Sequence, residues 1–340
     1  MSLDPRIAVL VPCLDEEAAV GKVVADFRRY LPGAIVFVYD NGSTDRTTDS
    51  AREAGAVVRQ EALRGKGNVV RRMLADIEAD VYVLVDGDDT YDAASAPVLV
   101  DRLLHGSLDM IIGARSLETA QAYRRGHRFG NRLLNGLVAL FFGERLGDML
   151  SGYRVMSRRF VKSFPALSSG FEIETELTVH ALQLRLPIAE LATPYRERVG
   201  DSSSKLRTIP DGIRIVHLIA RLIREEKPLE FFSAIAVLLA FVSVALATPV
   251  VATYLQTGLV PRLPTAVLAV GLMLVAFLSL ACGLILATVT RGRMEVKRLQ
   301  YLNIPIRFPR AQDADARQVP PPRSAAQSIP GQSAPASHGP

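Results

Sequence analysis

Asp86, Asp88 and Asp89 crowd the end of the apolar run "YVLVDGDDTY". Asp86 and Asp88 flank Gly87 in a D-x-D arrangement. Alternate residues of an extended segment point the same way, so both carboxylates can face one ligand. Hard oxygen donors at a strand end suit Mg²⁺ or Mn²⁺ held between protein and a diphosphate. The bland alternative is that one acid caps the following helix and the others are solvated.

Two further segments carry groups of the same kind. In "YDNGSTDRT", Asp40 and Asn41 are placed to hydrogen-bond a base or ribose, while Ser43, Thr44 and Asp45 suit the cap of the next helix. In "LRGKGNVVRRM" the spacing is not that of a Walker loop, which needs an earlier glycine and a Ser or Thr after the lysine. Lys66 remains able to meet a phosphate as a point charge, with glycines letting backbone come close.

The elements that must position these groups follow from periodicity. The first ~115 residues alternate apolar runs with helical patterns, the signature of βα units and a mostly parallel sheet. Candidate strands are "RIAVLVP", "AIVFVYD", "AVVRQ", "VYVLVDGD" and "DMIIGAR", with helices beginning near Asp15, Thr44, Gly67 and Ala94. Ligands of open α/β sheets bind outside the carboxyl ends of strands. "PCLDEE", "YDNGSTD" and "DGDD" should therefore gather along one rim.

From Phe231 to Pro261 there is no charge, nor from Leu263 to Thr290. Each run exceeds the ~20 residues a helix needs to cross a bilayer, and neither keeps the polar face of a soluble helix. Arg221, Arg224 and Lys227 precede the first run, and Arg291, Arg293, Lys297 and Arg298 follow the second. This bias places both ends in the cytoplasm. The opening "MSLDPRIAVLVP" has too short an apolar run for a signal peptide. Before the spans, "YRRGHRFGNRLLNGLVALFFGERLGDML" and "PDGIRIVHLIARLIREEK" are amphipathic, the first with a basic start. Both suit a membrane interface, and packing on the sheet is the alternative.

The net charge of +5 concentrates beside these apolar runs, where anionic lipid explains it, and no nucleic-acid motif is present. Nucleic acid is not an expected partner. Cys13 and Cys282 cannot form a zinc site and read as packing residues. The closing segment, rich in Pro, Ser, Ala and Gln, cannot bury enough apolar surface to fold.

"VPCLDEE", "YDNGSTD", "LRGKG", "VDGDDTYD", "GAR", "DMLSGYRVMSRRF", "FEIETEL" and "PYRERVGDSSSKLRT" together resemble family 2 glycosyltransferases. The branch they are similar to is the polyprenyl-phosphate glycosyltransferases, which include dolichol-phosphate mannose synthase. The resemblance runs in order from residue 6 to about 230, and the hairpin fits the bacterial members.

It implies an α/β GT-A fold over residues 1–206 and a juxtamembrane amphipathic helix over 207–230. A transmembrane hairpin over 231–290 follows, with spans at about 231–254 and 265–290, then a basic cytoplasmic segment over 291–308 and a disordered tail over 309–340. Pro12, Leu14 and Glu16 would line the nucleobase pocket with Asp40 and Asn41, and Lys66 and Asp86 would meet the rest of the donor. Asp86, Asp88 and Thr90 would hold Mg²⁺ or Mn²⁺. Leu14, Asp15 and Thr90 depart from the family's usual aromatic, asparagine and glutamine.

Asp148 and Asp88 are the catalytic candidates. Arg115, Arg124, Arg125 and His127 would meet the acceptor phosphate. Arg198, Ser204 and Lys205 resemble the segment that closes over donor and acceptor phosphates. Glu172 and Glu174 either shape the sugar pocket or serve structure.

The implied activity is inverting transfer of one sugar from a nucleotide-sugar donor, with UDP favoured, to a polyprenyl phosphate at the bacterial inner membrane. GDP-mannose-dependent transfer and a non-catalytic nucleotide-sugar-binding partner are the alternatives, and assembly into a homo-oligomer is open. A processive polysaccharide synthase would carry a Q-x-x-R-W motif, and this chain has no tryptophan.

Overall fold

The computed structural model describes residues 5–116, 136, 147–196, 224 and 227–305. The expectations for Arg124, Arg125, His127, Arg198, Ser204, Lys205 and the tail lie outside the described residues, as does most of both amphipathic stretches.

Strands β1 (Ile7–Cys13), β2 (Ile35–Asp40), β3 (Val57–Gln60), β4 (Val81–Leu84), β5 (Met110–Arg115), β6 (Arg154–Ser157) and β7 (Ile188–Thr193) form one sheet. Its spatial order is β3-β2-β1-β4-β6-β5-β7. β6 is antiparallel to β4 and β5, and the other neighbours are parallel. The five strands expected from periodicity are present. β6 and β7 were not among them, because "RVMS" is short and carries a buried arginine and "IAELAT" keeps a glutamate between its apolar residues.

The period of two sends successive side chains to opposite faces. Ala8, Leu10, Tyr82, Leu84, Met110 and Ile112 enter one core, under α3 (Lys66–Asp76), α5 (Arg158–Ser163) and α6 (Ile173–Leu184). Val9, Val11, Val81, Val83, Ile111 and Val155 enter the other, under α1 (Glu17–Tyr30), α2 (Thr47–Glu53) and α4 (Ala96–His105). The helices begin within a few residues of the expected starts.

α7 (Pro228–Thr257) and α8 (Leu263–Asn303) form an antiparallel pair of 30 and 41 residues, each long and apolar enough to cross a membrane. Apart from Pro228 at the start of α7, their buried residues recur every seven positions and are mostly small: Ala236, Ser243 and Val250 on α7, Ala269, Ala276 and Gly283 on α8. Small residues let helix backbones approach closely. Ser243 Oγ donates to the Ala269 carbonyl at 2.7 Å and Ser279 Oγ to that of Phe232 at 3.0 Å. A Cβ on Gly283 would meet Phe232 Cβ at 3.0 Å. The helix of α8 continues past the apolar run into the basic segment expected after it, as far as Asn303.

Candidate active site

Asp86 and Asp88 follow β4, as the opening run implied. Asp88 is 4% exposed, and its Oδ1 accepts from the Thr90 hydroxyl at 2.6 Å and the Thr90 amide at 3.2 Å. Thr90 thus fixes the orientation of Asp88 here. Asp89, the third acid, turns away: it adopts φ +57° and pairs with Lys22 of α1 at 2.8 Å. Its role is to tie the loop to the helix.

Asp86 keeps one side close to the "SGYR" backbone. A Cβ on Gly152 would meet Asp86 Oδ2 at 2.6 Å, so only glycine leaves the carboxylate its place. The Gly152 amide donates to Tyr91 Oη at 2.8 Å. Among the described residues no cluster of three His, Cys, Asp or Glu surrounds a cation position. A pair of carboxylates beside a glycine cradle fits a hard cation that takes its other oxygens from a bound diphosphate.

Lys66 opens α3 and reaches two carboxylates, Asp86 Oδ1 and Glu174 Oε1, each at 2.5 Å. Gly65 and Gly67 on either side allow it: a Cβ on either would overlap the backbone of Ser168 and Ser169, and Gly65 holds φ +122°. Burial alone would lower the ammonium's pKa, but the two anions reverse this and raise it well above the usual lysine value. Burial also raises the Glu174 carboxyl, against the opposing pull of Lys66. The second oxygen of Glu174 is buried without a hydrogen-bond partner. The Lys66–Glu174 pairing was not legible in the sequence, since more than 100 residues separate the two.

Asp40 and Asn41 close β2. Asp40 is 1% exposed and accepts from the amides of Gly42 and Ser43. Asn41 donates to the carbonyls of Glu61 and Leu63 and accepts from the Gly65 amide at 2.7 Å. Its side chain thereby holds the loop that carries Lys66. Asp45 accepts from the Thr47 amide, and Asp15 accepts from the Thr44 amide at 2.8 Å, joining the loops after β1 and β2. Pro12 lies in β1 opposite Tyr39, and Leu14 and Glu16 follow it half-buried on the same rim.

Arg115 ends β5 and grips Asp148 as a fork, Nε to Oδ2 at 2.6 Å and NH2 to Oδ1 at 2.7 Å. The guanidinium lies 5.6 Å from the Tyr195 ring centroid, and Tyr195 packs edge-on against Tyr91. Glu190 of β7 holds the entry to this loop through the amides of Gly147 and Asp148, at 2.6 and 3.1 Å. Arg154, fully buried, holds its exit: NH2 donates to the Met149 carbonyl at 2.7 Å and Nε to that of Ser151 at 3.1 Å. Burial lowers Arg154 to about 10. Glu190 was missed as a positioning residue because it lies in no recognisable chemical spacing, and Arg154, although within the "SGYR" motif, was given no role of its own.

The family described as Glycosyl transferase family 2 matches residues 8–164. Glycosyltransferase AglJ of Haloferax volcanii is 34% identical over 237 residues, covering 69% of this chain and 78% of the relative. The dolichyl-phosphate hexose transferase of the same organism is 30% identical over 221 residues, covering 65% of this chain and 95% of the relative. Among solved structures, glucosyl-3-phosphoglycerate synthase from Mycobacterium tuberculosis, in complex with Mn²⁺, UDP-glucose and phosphoglyceric acid, aligns with a TM-score of 0.54. That match is 25% identical and covers 65% of this chain and 79% of the synthase.

Proposed function

The chain belongs to glycosyl transferase family 2, with a GT-A-like sheet, and on that footing we propose that it transfers one sugar from a nucleotide-sugar, UDP-linked by preference, to a membrane polyprenyl phosphate. The observation that carries this reading is one rim. It holds Asp86, Asp88 and Lys66 beside the loop of the Arg115–Asp148 pair, in a chain with a long apolar hairpin. The likeness to a dolichyl-phosphate hexose transferase supports the acceptor class, and the UDP-glucose complex supports the donor class.

The acceptor phosphate oxygen attacks the anomeric carbon as the bond to the nucleoside diphosphate breaks on the opposite side, inverting that centre. A phosphate monoester has a second pKa near ~6 and is already largely dianionic at neutral pH, so no strong base is required. Mg²⁺ or Mn²⁺ held by Asp86 and Asp88 would neutralise charge developing on the leaving diphosphate. Lys66, kept cationic by its two carboxylates, adds fixed positive charge at the same place. Arg115 is the described cation suited to the acceptor phosphate, and Asp148 orients it. The hairpin anchors this rim to the bilayer face on which the acceptor phosphate lies, for which the flanking basic residues favour the cytoplasmic side.

The test is transfer from radiolabelled UDP- and GDP-sugars into organic-extractable lipid, with Mg²⁺ or Mn²⁺. Label in the lipid phase, lost in Asp88→Ala, is expected. Tight UDP binding with no lipid label from any donor sinks the proposal.

A further inference from the structure

The far end of α8 does not stand free of the catalytic domain. Tyr301 Oη donates to Asp109 Oδ2 at 2.7 Å, and Asp109, 2% exposed, also accepts from Ser157 Oγ at 2.7 Å. The Arg159 guanidinium lies 4.9 Å from the Tyr301 ring centroid, and its Nε donates to the Ile304 carbonyl at 3.0 Å. One turn earlier, Lys297 Nζ donates to Gln183 Oε1 at 2.7 Å. These contacts come from Asp109 just before β5, from α5 and from α6, so α8 is clamped to several parts of the domain at once.

The clamp also grips elements whose other ends carry the site. Asp109 leads into β5, which ends at Arg115; Gln183 lies in the last turn of α6, whose first turn holds Glu174. At ~3.3 Å per strand residue, Asp109 and Arg115 stand roughly 20 Å apart. The stretch of α8 from Arg291 to Asn303 adds about 20 Å of unbroken helix beyond the apolar run. A continuous helix leaving the bilayer, fixed at its tip, is stiff where a coil linker would let the domain swing.

We infer that Tyr301, Lys297 and Arg159 are positioning residues, locking α8 to the domain as a bracket that sets the height and tilt of the Arg115–Asp148 rim above the membrane. This rests on the membrane reading above. A lipid phosphate cannot follow a swinging site, because its polyprenyl chain stays in the bilayer. A soluble acceptor can diffuse to it. The bracket therefore matters for one acceptor and is dispensable for the other.

The experiment uses the full chain in vesicles, comparing wild type, Tyr301→Phe and the double variant Tyr301→Ala, Lys297→Ala. A dye at Arg52→Cys, in a Cys282→Ser background, reports distance to a labelled lipid surface by energy transfer. Transfer is measured to a long-chain polyprenyl phosphate in the bilayer and to a short, water-soluble prenyl phosphate in detergent. The double variant should broaden the distance distribution and lose at least about tenfold on the bilayer acceptor, since small misplacements carry such penalties. Its rate on the soluble acceptor should stand, which excludes misfolding, and Tyr301→Phe should fall between. An unchanged distance distribution, or equal losses on both acceptors, overturns the bracket. The distance readout needs no turnover, so a wild type that labels no lipid counts against the proposed function and leaves the bracket to be judged by distance.

Discussion

Arg115 and Asp148 meet as a planar fork at 2.6 and 2.7 Å, although 33 positions separate them in the chain. An aspartate held this way has both oxygens engaged by one guanidinium, which suits it to orient that neighbour. Asp148→Asn should lower kcat by ~10²-fold or more, as lost preorganised charge does, without removing an acid limb from the pH–rate profile. Disappearance of an acid limb in Asp148→Asn would make it the base instead.

Lys66 and Glu174 should behave as a coupled unit. Removing the cation alone, in Lys66→Met, leaves a buried carboxylate beside Asp86 and should cost about 3–5 kcal/mol of stability. Adding Glu174→Gln should recover much of that loss. Denaturant melts of both single variants and the double close the cycle, and additive losses would show the pair is not coupled. In activity, only variants lacking Lys66 should raise the donor KM strongly.

Gly152→Ala tests the cradle without altering any charge. Its Cβ would stand 2.6 Å from Asp86 Oδ2, so the carboxylate must turn away. Mn²⁺ binding in the presence of UDP, followed by electron paramagnetic resonance, should weaken by an order of magnitude, about the effect of disturbing a ligand's support. Unchanged binding would mean that Asp86 does not ligate from this position.

His180 sits between Phe160 and Phe164 with one ring nitrogen unpartnered. Burial, aided by Lys297, pushes its pKa from 6.5 down to about 3. The unfolded chain then binds a proton that the folded one refuses. This contribution to stability is complete above pH 6.5 and is lost progressively as pH falls toward about 3. Around pH 5 the loss is about 2 kcal/mol. His180→Gln should flatten that part of the stability–pH curve, read by chemical denaturation at stepped pH.

Much of the catalytic half was legible because its signals are local. Asp86 and Asp88 lie two apart on one strand end, and the apolar runs of α7 and α8 need no partner to be recognised. What escaped depends on distant packing. Asn41 looked like a ligand for a base, yet its amide is bonded to backbone from residues 61 to 65. Asp89 shared the acidic run and proved to be a tether, because a left-handed turn points it at α1. Glu190 sits on a strand whose sequence barely alternates, and only the sheet order brings it to Asp148.

The reversed strand β6 has one more consequence. Because it runs against β4 and β5, the chain leaves the sheet at Arg115 and re-enters it through the Asp148 loop on the same side. Its re-entry is pinned by the fold: Glu190 accepts from the Asp148 amide and Arg154 donates to the Met149 carbonyl. A change of chain length between Arg115 and Gly147 therefore need not shift the register in which β5 and β6 pair.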